Sequence, residues 1–381
     1  MTFPESVRIA LDRLYSAGYE AYLVGGCVRD WVMGRVPSDY DITTPSTPDE
    51  TKAVFEGFPV FLQGEKHGTV GVIIEGEKLE ITTHRRDGDY TDHRRPESVT
   101  FSRTLADDLS RRDFTVNAMA YSPHSGIVDL FDGREDVERK IIRCVGDPSR
   151  RFDEDALRIL RAIRFSSTLG FEIEDKTEKA IFENAQLLKT VSAERIREEL
   201  EKLVMGVNAA CVTLKYETVL NTVLQRFDAK TFCTLLPVGN TLKSRMASLF
   251  CASSEECISF LKLSNENALF YKRVRRMFFE ELDLSEYGMK RLAYKNGEEA
   301  LLCALFLKGC TEEALILEKL ISDGVCMHKR DMMINGDDLI SLGFEQGTKM
   351  GQVLDSLFEL VLKGELANER KVLLEYVKTK I

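Results

Sequence analysis

Apolar positions fall in short strand-type runs along the first third of the chain and recur at helical spacing along the rest. Ala21-Tyr22-Leu23-Val24 reads as a strand that runs into Gly25-Gly26. Thr69 to Glu75 and Lys78 to Thr83 read as two strands separated by Gly76-Glu77, a hairpin signal, and a strand Asp39 to Thr43 is expected beside them. Helical stretches are expected near Val28 to Met33 and over Pro48 to Phe55, the latter with Ser46 or Thr47 as N-cap. This pattern predicts an α/β or α+β domain with a mostly mixed sheet over residues 1–145.

After Pro148 the texture changes. Phe152 to Phe165, Lys176 to Leu188 and Ala193 to Met205 show helical spacing, and strand signals nearly vanish. Breaks are expected near Gly206-Val207-Asn208, Pro237-Val238-Gly239-Asn240 and Gly288. Asn335-Gly336-Asp337-Asp338 is expected to start a helix capped by one of its aspartates, and Met332 to Gly343 reads as ordinary helix packing. The expected division is therefore 1–145, 146–206 and 207–381, one mixed domain followed by all-helical segments.

Composition narrows the class. With 381 residues, 44% hydrophobic and 30% charged, the chain buries sizeable cores, which excludes a disordered or fibrous protein. No basic, apolar leader opens it and no run of about 18 apolar residues occurs, so a cytoplasmic protein without membrane contact is expected. Nine scattered cysteines without a Cys-x-x-Cys pair fit reduced thiols, and five histidines without ligand spacing give no zinc motif. The net charge of -10 argues against a surface coated with basic residues, although arginines cluster at 85, 86, 94, 95, 103, 111 and 112 and again at 143, 150, 151, 158, 161 and 164. Such clusters are either solvated charges interleaved with acids or local nucleic-acid and phosphate contacts.

The strongest chemical signal is Gly25-Gly26-Cys27-Val28-Arg29-Asp30 followed by Ser38-Asp39-Tyr40-Asp41-Ile42-Thr43. Two glycines at a strand-to-helix junction let backbone N–H groups approach a polyphosphate, and Arg29 on the first helical turn adds charge-assisted bonds. Alternate residues of a strand share a face, so Asp39 and Asp41 present two carboxylates that call for a cation. Magnesium prefers such oxygens together with substrate phosphates, and two ions suffice to activate a hydroxyl and stabilise a leaving pyrophosphate. Glu80, mid-strand between Leu79 and Ile81, is the candidate third carboxylate, or else an ordinary exposed strand glutamate.

Two further constellations follow. In Arg111-Arg112-Asp113-Phe114-Thr115-Val116-Asn117-Ala118-Met119-Ala120, polar residues crowd the expected start of an apolar helix; Arg112 is placed to reach a triphosphate and Asp113 to suit a helix N-terminus, or both simply cap. In Glu154-Asp155-Ala156-Leu157-Arg158, Asp155 and Arg158 stand at i and i+3 of a helix. A carboxylate accepts from the exocyclic amino group of cytosine or adenine while a guanidinium donates to the neighbouring ring acceptor, so the pair imitates a base-pairing edge. Uracil and guanine would leave an acceptor unpaired, at about 1–3 kcal/mol. The alternative is a surface ion pair worth about 0.3–0.5 kcal/mol. Arg161 and Arg164 follow on the same helix as possible phosphate or base contacts.

In this order the segments resemble the class II tRNA nucleotidyltransferases, which include CCA-adding enzymes, their CC-adding and A-adding relatives, and bacterial poly(A) polymerases. The resemblance runs from about Ala21 to Met205, with Ala193-Glu194-Arg195-Ile196-Arg197-Glu198-Glu199 matching the last family motif, and more weakly over Ile334 to Tyr376. It implies an α+β fold: a polymerase-β-like head (1–145), a helical neck (146–206) that reads the incoming base, and a helical body and tail (207–381) that bind tRNA. By similarity, Asp39 and Asp41 hold Mg2+ with Glu80 nearby. Gly25, Gly26, Arg29 and Arg112 belong to the nucleotide site, and Asp155, Arg158, Arg161 and Arg164 to the base-reading neck. The implied activity is template-independent addition of C, C and A to the 3′ end of tRNA from CTP and ATP, with no DNA partner. An A-adding or poly(A)-adding relative and a non-catalytic RNA-binding protein are the alternatives. Arg85 to Pro96 resembles the flexible loop of CCA-adding members, or is a plain long connection.

Overall fold

The computed structural model describes residues 3–61, 68–87 and 99–379. Contacts divide it into two units, Met1–Ala229 and Lys230–Ile381. Most of the loop expected at Arg85 to Pro96 lies outside the described residues.

The first unit opens with α1 (Glu5–Ser16), a helix not anticipated above, which buries Val7, Ala10, Leu11 and Leu14 on one stripe. There follow β1 (Tyr22–Val24), α2 (Gly26–Val32), β2 (Asp41–Thr44), α3 (Pro48–Val54), β3 (Val60–Phe61), β4 (Thr69–Ile74) and β5 (Glu77–Thr83). A small antiparallel pair, β6 (Arg85–Asp87) and β7 (Val99–Phe101), leads to α4 (Leu105–Ser110), β8 (Met119–Ser122), β9 (Gly126–Asp129) and α5 (Gly133–Arg139). The main sheet runs β3-β4-β5-β2-β1-β8-β9. It is mixed because β2 and β5 pair in parallel while their neighbours are antiparallel. Buried Leu23, Ile42, Val70, Val72 and Ile81 share one face and fill its core there, each worth roughly 1.5–3 kcal/mol when fully removed from water.

Local chemistry fixes several of these elements. The β4–β5 hairpin turns on Glu75-Gly76, both at positive φ (52° and 79°), one residue earlier than the expected Gly76-Glu77. Helix α3 starts at a capping box in which the Thr47 hydroxyl accepts from the Glu50 N–H and the Glu50 carboxylate accepts from the Thr47 N–H at 2.7 Å.

The segment Arg111 to Ala120 departs from expectation. It does not open an apolar helix: a short 3₁₀ turn, Thr115–Asn117, gives way to strand β8. Met119 and Ala120 are fully buried in a strand flanked by β1 and β9, so no polar alternation marks it as a strand.

Beyond the sheet, α6 (Pro148–Glu154), α7 (Leu157–Leu169), α8 (Asp175–Asn184) and α9 (Ala193–Val204) build the helical part of this unit. The helix expected over 152–165 is broken, because Asp155 takes an extended conformation (φ −144°, ψ 101°). Its carboxylate accepts from the Leu157 N–H at 3.1 Å and so starts α7 anew. Helix α7 packs along α9, and Ile159, Leu160 and Ile163 of the one and Ile196, Leu200 and Leu203 of the other are buried. Just past α9 the backbones come so close that a Cβ on Gly206 would sit 2.1 Å from the Ser167 hydroxyl.

In the second unit every regular element among the described residues is a helix. Gly288 is not a break but lies in the first turn of the helix Glu286–Asn296, where its N–H donates to the Ser285 hydroxyl and a Cβ would strike Asp283. Asn335, not an aspartate, caps the helix Gly336–Ser341, and Asp338 closes the box on the Asn335 N–H at 2.9 Å. Leu339, Leu357, Phe358, Leu373 and Val377 form the core of its last helices. Among the described residues no helix is long and apolar enough to cross a membrane.

Candidate active site

Strand register places the first three carboxylates. In the parallel β2–β5 pair Asp41 stands opposite Glu80, so the two side chains leave the same face of the sheet. Asp39 lies in the extended stretch just before β2 rather than within it, a shorter strand than expected. Asp39, Asp41 and Glu80 nevertheless line one groove of about 760 Å³, with Pro37, Tyr40 and Lys78 on its walls. Glu80 points to solvent while its neighbours Leu79 and Ile81 are buried on the opposite face, and the Lys78 ammonium lies 3.5 Å from it. Asp41 opens onto the groove, yet the protein crowded around it makes desolvation the main reason its carboxyl is raised above the usual range. Glu80 and Asp39 add to that shift, and Arg112 opposes it.

Asp41 is also paired across β1 with Val24, the residue before the glycine turn. Gly25 sits at φ 77°, ψ −131°, a conformation closed to side-chain-bearing residues, and it lets the chain pass from β1 into α2. A Cβ there would come within 3.0 Å of an Arg112 Nη atom. Gly25, Gly26, Arg29 and Arg112 are thus brought together. Arg112 is held by the Asp108 carboxylate at 3.1 Å and the Asn117 carbonyl at 3.4 Å, while its buried Nε has no partner among the described residues. Arg29 is buried and donates to the Asn117 side chain at 2.7 Å and to Asp30 at 2.7 Å and 2.9 Å.

The four neck residues lie at the start and along the length of α7, but not as the expected pair. Asp155 is gripped by Arg195 of α9 through both its oxygens, at 3.2 Å and 2.8 Å. Arg158 donates to Glu154 at 2.7 Å and to the Arg151 and Arg111 carbonyls. The break in the helix therefore gives Asp155 and Arg158 separate partners instead of setting their heads side by side. Arg161 binds Asp113 at 2.6–2.7 Å, and Arg164 binds Glu199 at 2.9 Å. Burial works to raise the Asp113 carboxyl, but Arg161 and Arg158 outweigh it and hold it down at about 2. Three guanidinium groups surround the buried Phe165 ring, Arg164 at 3.5 Å, Arg29 at 5.4 Å and Arg161 at 5.5 Å.

Several of these partners were not anticipated. Asp108, at i−3 and i−4 from Arg111 and Arg112, carried a readable helical spacing. Glu199 and Arg195 lie 35 and 40 residues from their partners; both fall in the segment matched to the last family motif, but nothing local names the partners.

The three carboxylates suit a hard cation that takes its other ligands from phosphate and water. They do not form a closed cage: among the described residues no three His, Cys, Asp or Glu side chains converge as a full ligand set. Asp41 stands beside two like charges that the single guanidinium of Arg112 opposes, an arrangement that leaves room for an added cation.

The chain resembles known proteins over its whole length. Residues 21–143 match the model of the poly A polymerase head domain, residues 170–214 that of the RNA and SrmB-binding site of polymerase A, and residues 245–377 that of tRNA nucleotidyltransferase domain 2. The CCA-adding enzyme of Lactobacillus helveticus is 36% identical over 381 residues, covering 97% of this chain and 95% of the relative. That of Geobacillus thermodenitrificans is 54% identical over 216 residues, 56% of this chain and 53% of the relative. The crystal structure of the Bacillus stearothermophilus CCA-adding enzyme in complex with CTP superimposes with a TM-score of 0.83 at 31% identity, covering 100% of this chain and 98% of that one. The chain belongs to the family of the CCA-adding enzymes.

Proposed function

We propose that the groove lined by Asp39, Asp41 and Glu80 is where the chain joins CMP, CMP and AMP to the 3′ end of tRNA, drawing on CTP and ATP and releasing pyrophosphate. One observation carries the assignment: the parallel register of Asp41 and Glu80 puts two carboxylates on one face, next to Asp39 and to the strand that enters the Gly25 turn. Asp39 and Asp41 are the side chains that would hold divalent ions, magnesium by the hardness of the oxygen ligands. When bound, such ions ease deprotonation of the ribose hydroxyl and neutralise the triphosphate.

The chain's own residues supply the rest. Backbone N–H groups of the Gly25-Gly26 turn, with Arg29 and Arg112 behind them, bind triphosphate oxygens and orient the α-phosphate for in-line attack. Asp155 and Arg158 at the start of α7 read the base edge, and Arg161 and Arg164 hold the surrounding helices through Asp113 and Glu199. In the second unit, a groove of about 750 Å³ is lined by Lys272, Arg273, Arg276 and Lys295 with the exposed ring of Phe279. With Arg275, five cations stand beside an aromatic face and outnumber the two acids of the lining, Glu255 and Glu280, which suits a phosphate backbone and its bases and supports reading residues 207–381 as the tRNA-binding part. The substrates, tRNA and nucleoside triphosphates, lead us to assign the reaction to the cytoplasm.

The test is incorporation on tRNA transcripts lacking the CCA end, one labelled nucleotide at a time. CTP alone is expected to add two residues, and ATP one more on the CC product. AMP addition to an end without CC would mark an A-adding or poly(A)-adding relative. No magnesium-dependent incorporation at all would mark an RNA-binding protein.

A further inference from the structure

The carboxylate proposed to read the base is not held by its own helix. Asp155 occupies the gap between α6 and α7, where its backbone is extended and its side chain leaves regular structure. Two contacts orient it. Oδ1 accepts from the Leu157 N–H at 3.1 Å and from Arg195 at 3.2 Å, and Oδ2 accepts from Arg195 at 2.8 Å. A carboxylate offers about four lone-pair positions. Oδ1 has both of its own used, and Oδ2 keeps one open.

We infer that Arg195 is a specificity-determining positioning residue, which fixes the plane of Asp155 and leaves a single acceptor, the free side of Oδ2, to face the incoming base. This rests on the reading of Asp155 as the base-selecting group. Every group that touches the carboxylate donates to it, so the edge shown to the nucleotide accepts only. The exocyclic amino group of cytosine or adenine satisfies such an edge, and the carbonyl of uracil or guanine meets it oxygen to oxygen. A planar, two-pronged donor sets an angle that a point charge does not.

The placement of Arg195 is hard to explain as helix stabilisation. It stands in the first turn of α9, three residues after the capping position Ser192, where the helix dipole disfavours a cation. Its gain comes from Asp155, across to the other side of the helix break. Side chains of both residues retain partial exposure, 24% for Arg195 and 17% for Asp155, so the pair is open to a ligand rather than sealed in the core.

The experiment compares wild type, Arg195→Gln, Arg195→Lys, Asp155→Ala and the double variant Asp155→Ala/Arg195→Gln in steady-state incorporation of CMP, AMP and UMP, with thermal unfolding as a check on folding. Arg195→Gln is expected to raise KM for CTP and ATP about tenfold with kcat within about threefold, and to narrow the preference for CTP over UTP by about tenfold. Arg195→Lys, which retains the charge but not the fork, is expected to recover only part of that preference. On the Asp155→Ala background Arg195→Gln should change neither KM nor selectivity, because it acts through the missing carboxylate. Selectivity lost in Asp155→Ala but kept in folded Arg195→Gln, or independent losses that multiply in the double variant, would overturn the role of Arg195. Selectivity kept in Asp155→Ala would instead overturn the base-reading assignment itself, and the role of Arg195 with it.

Discussion

The catalytic groove and the neck handle charge in opposite ways. In the groove Asp39, Asp41 and Glu80 gather with little protein cation to offset them: Lys78 lies 3.5 Å from Glu80 at the surface, and Arg112 acts on Asp41 from behind the glycine turn. In the neck each key guanidinium is ion-paired, Arg158 with Glu154, which Arg150 and Arg151 share, Arg161 with Asp113, Arg164 with Glu199, which also lies 3.7 Å from Arg161, and Arg195 with Asp155. A site that leaves negative charge uncompensated is prepared for an external cation. A site that neutralises itself is a scaffold whose ion pairs set angles and distances. The same residue types therefore carry chemistry in one place and geometry in the other.

Removing groups from each region should separate these roles. The largest effect is expected for Asp39→Ala, a loss of about a thousandfold or more in nucleotide incorporation, roughly 4 kcal/mol of barrier, with the unfolding temperature unchanged. Asp113→Ala should do the reverse in kind: it removes the nearer carboxylate from the half-buried Arg161, which keeps Glu199 at 3.7 Å, and should cost about 1–3 kcal/mol of stability, read from denaturant unfolding.

The acid dependence of the neck has a definite sign. The Asp113 carboxyl is held at about 2 in the folded chain, below its ordinary value of 3.8. Its contribution, about 2 kcal/mol, is complete above pH 4 and is lost as the pH falls from there toward 2. Asp113→Asn should flatten that part of the stability profile.

In the second unit, Lys272→Ala and Lys295→Ala should each weaken tRNA binding several-fold and lower the salt slope of log K by about one, measured by titration at several ionic strengths. Unaltered salt slopes would remove that groove from the RNA path. The smallest effect concerns the groove's own strain. The Asp41 carboxyl is raised, so its ionisation opposes folding as pH rises through that value, and Asp41→Asn should slightly raise the melting temperature in chelator.

What the sequence made legible follows the range over which each signal acts. The strand into Gly25 and the β4–β5 hairpin are governed by alternation and turn chemistry within a few residues, whereas the parallel register that sets Asp41 opposite Glu80 joins distant segments and no local pattern gave it. Strand β8 was read as helix because Met119 and Ala120, buried in the middle of the sheet, lack the polar alternation of a half-exposed strand. The break at Asp155 has neither proline nor glycine to announce it; a side chain that caps Leu157 creates it, and i,i+3 spacing looks the same either way. The ion pairs of the neck join residues far apart in the chain, such as Arg161 with Asp113 and Arg164 with Glu199, and no local pattern specifies them. The break expected near Gly288 falls a few residues earlier, at 280–285, while Gly288 itself serves close approach to Asp283 inside a helical turn.

The central claim is that the carboxylate groove works by gripping divalent cations against a nucleoside triphosphate. Its most direct test is the magnesium dependence of CMP and AMP incorporation on tRNA lacking its CCA end, for wild type and Asp41→Asn, with folding checked in parallel. The account predicts saturable magnesium dependence in wild type and, in the folded variant, loss of incorporation that added metal does not restore. Near-normal CCA synthesis by Asp41→Asn at the same magnesium concentration would contradict it.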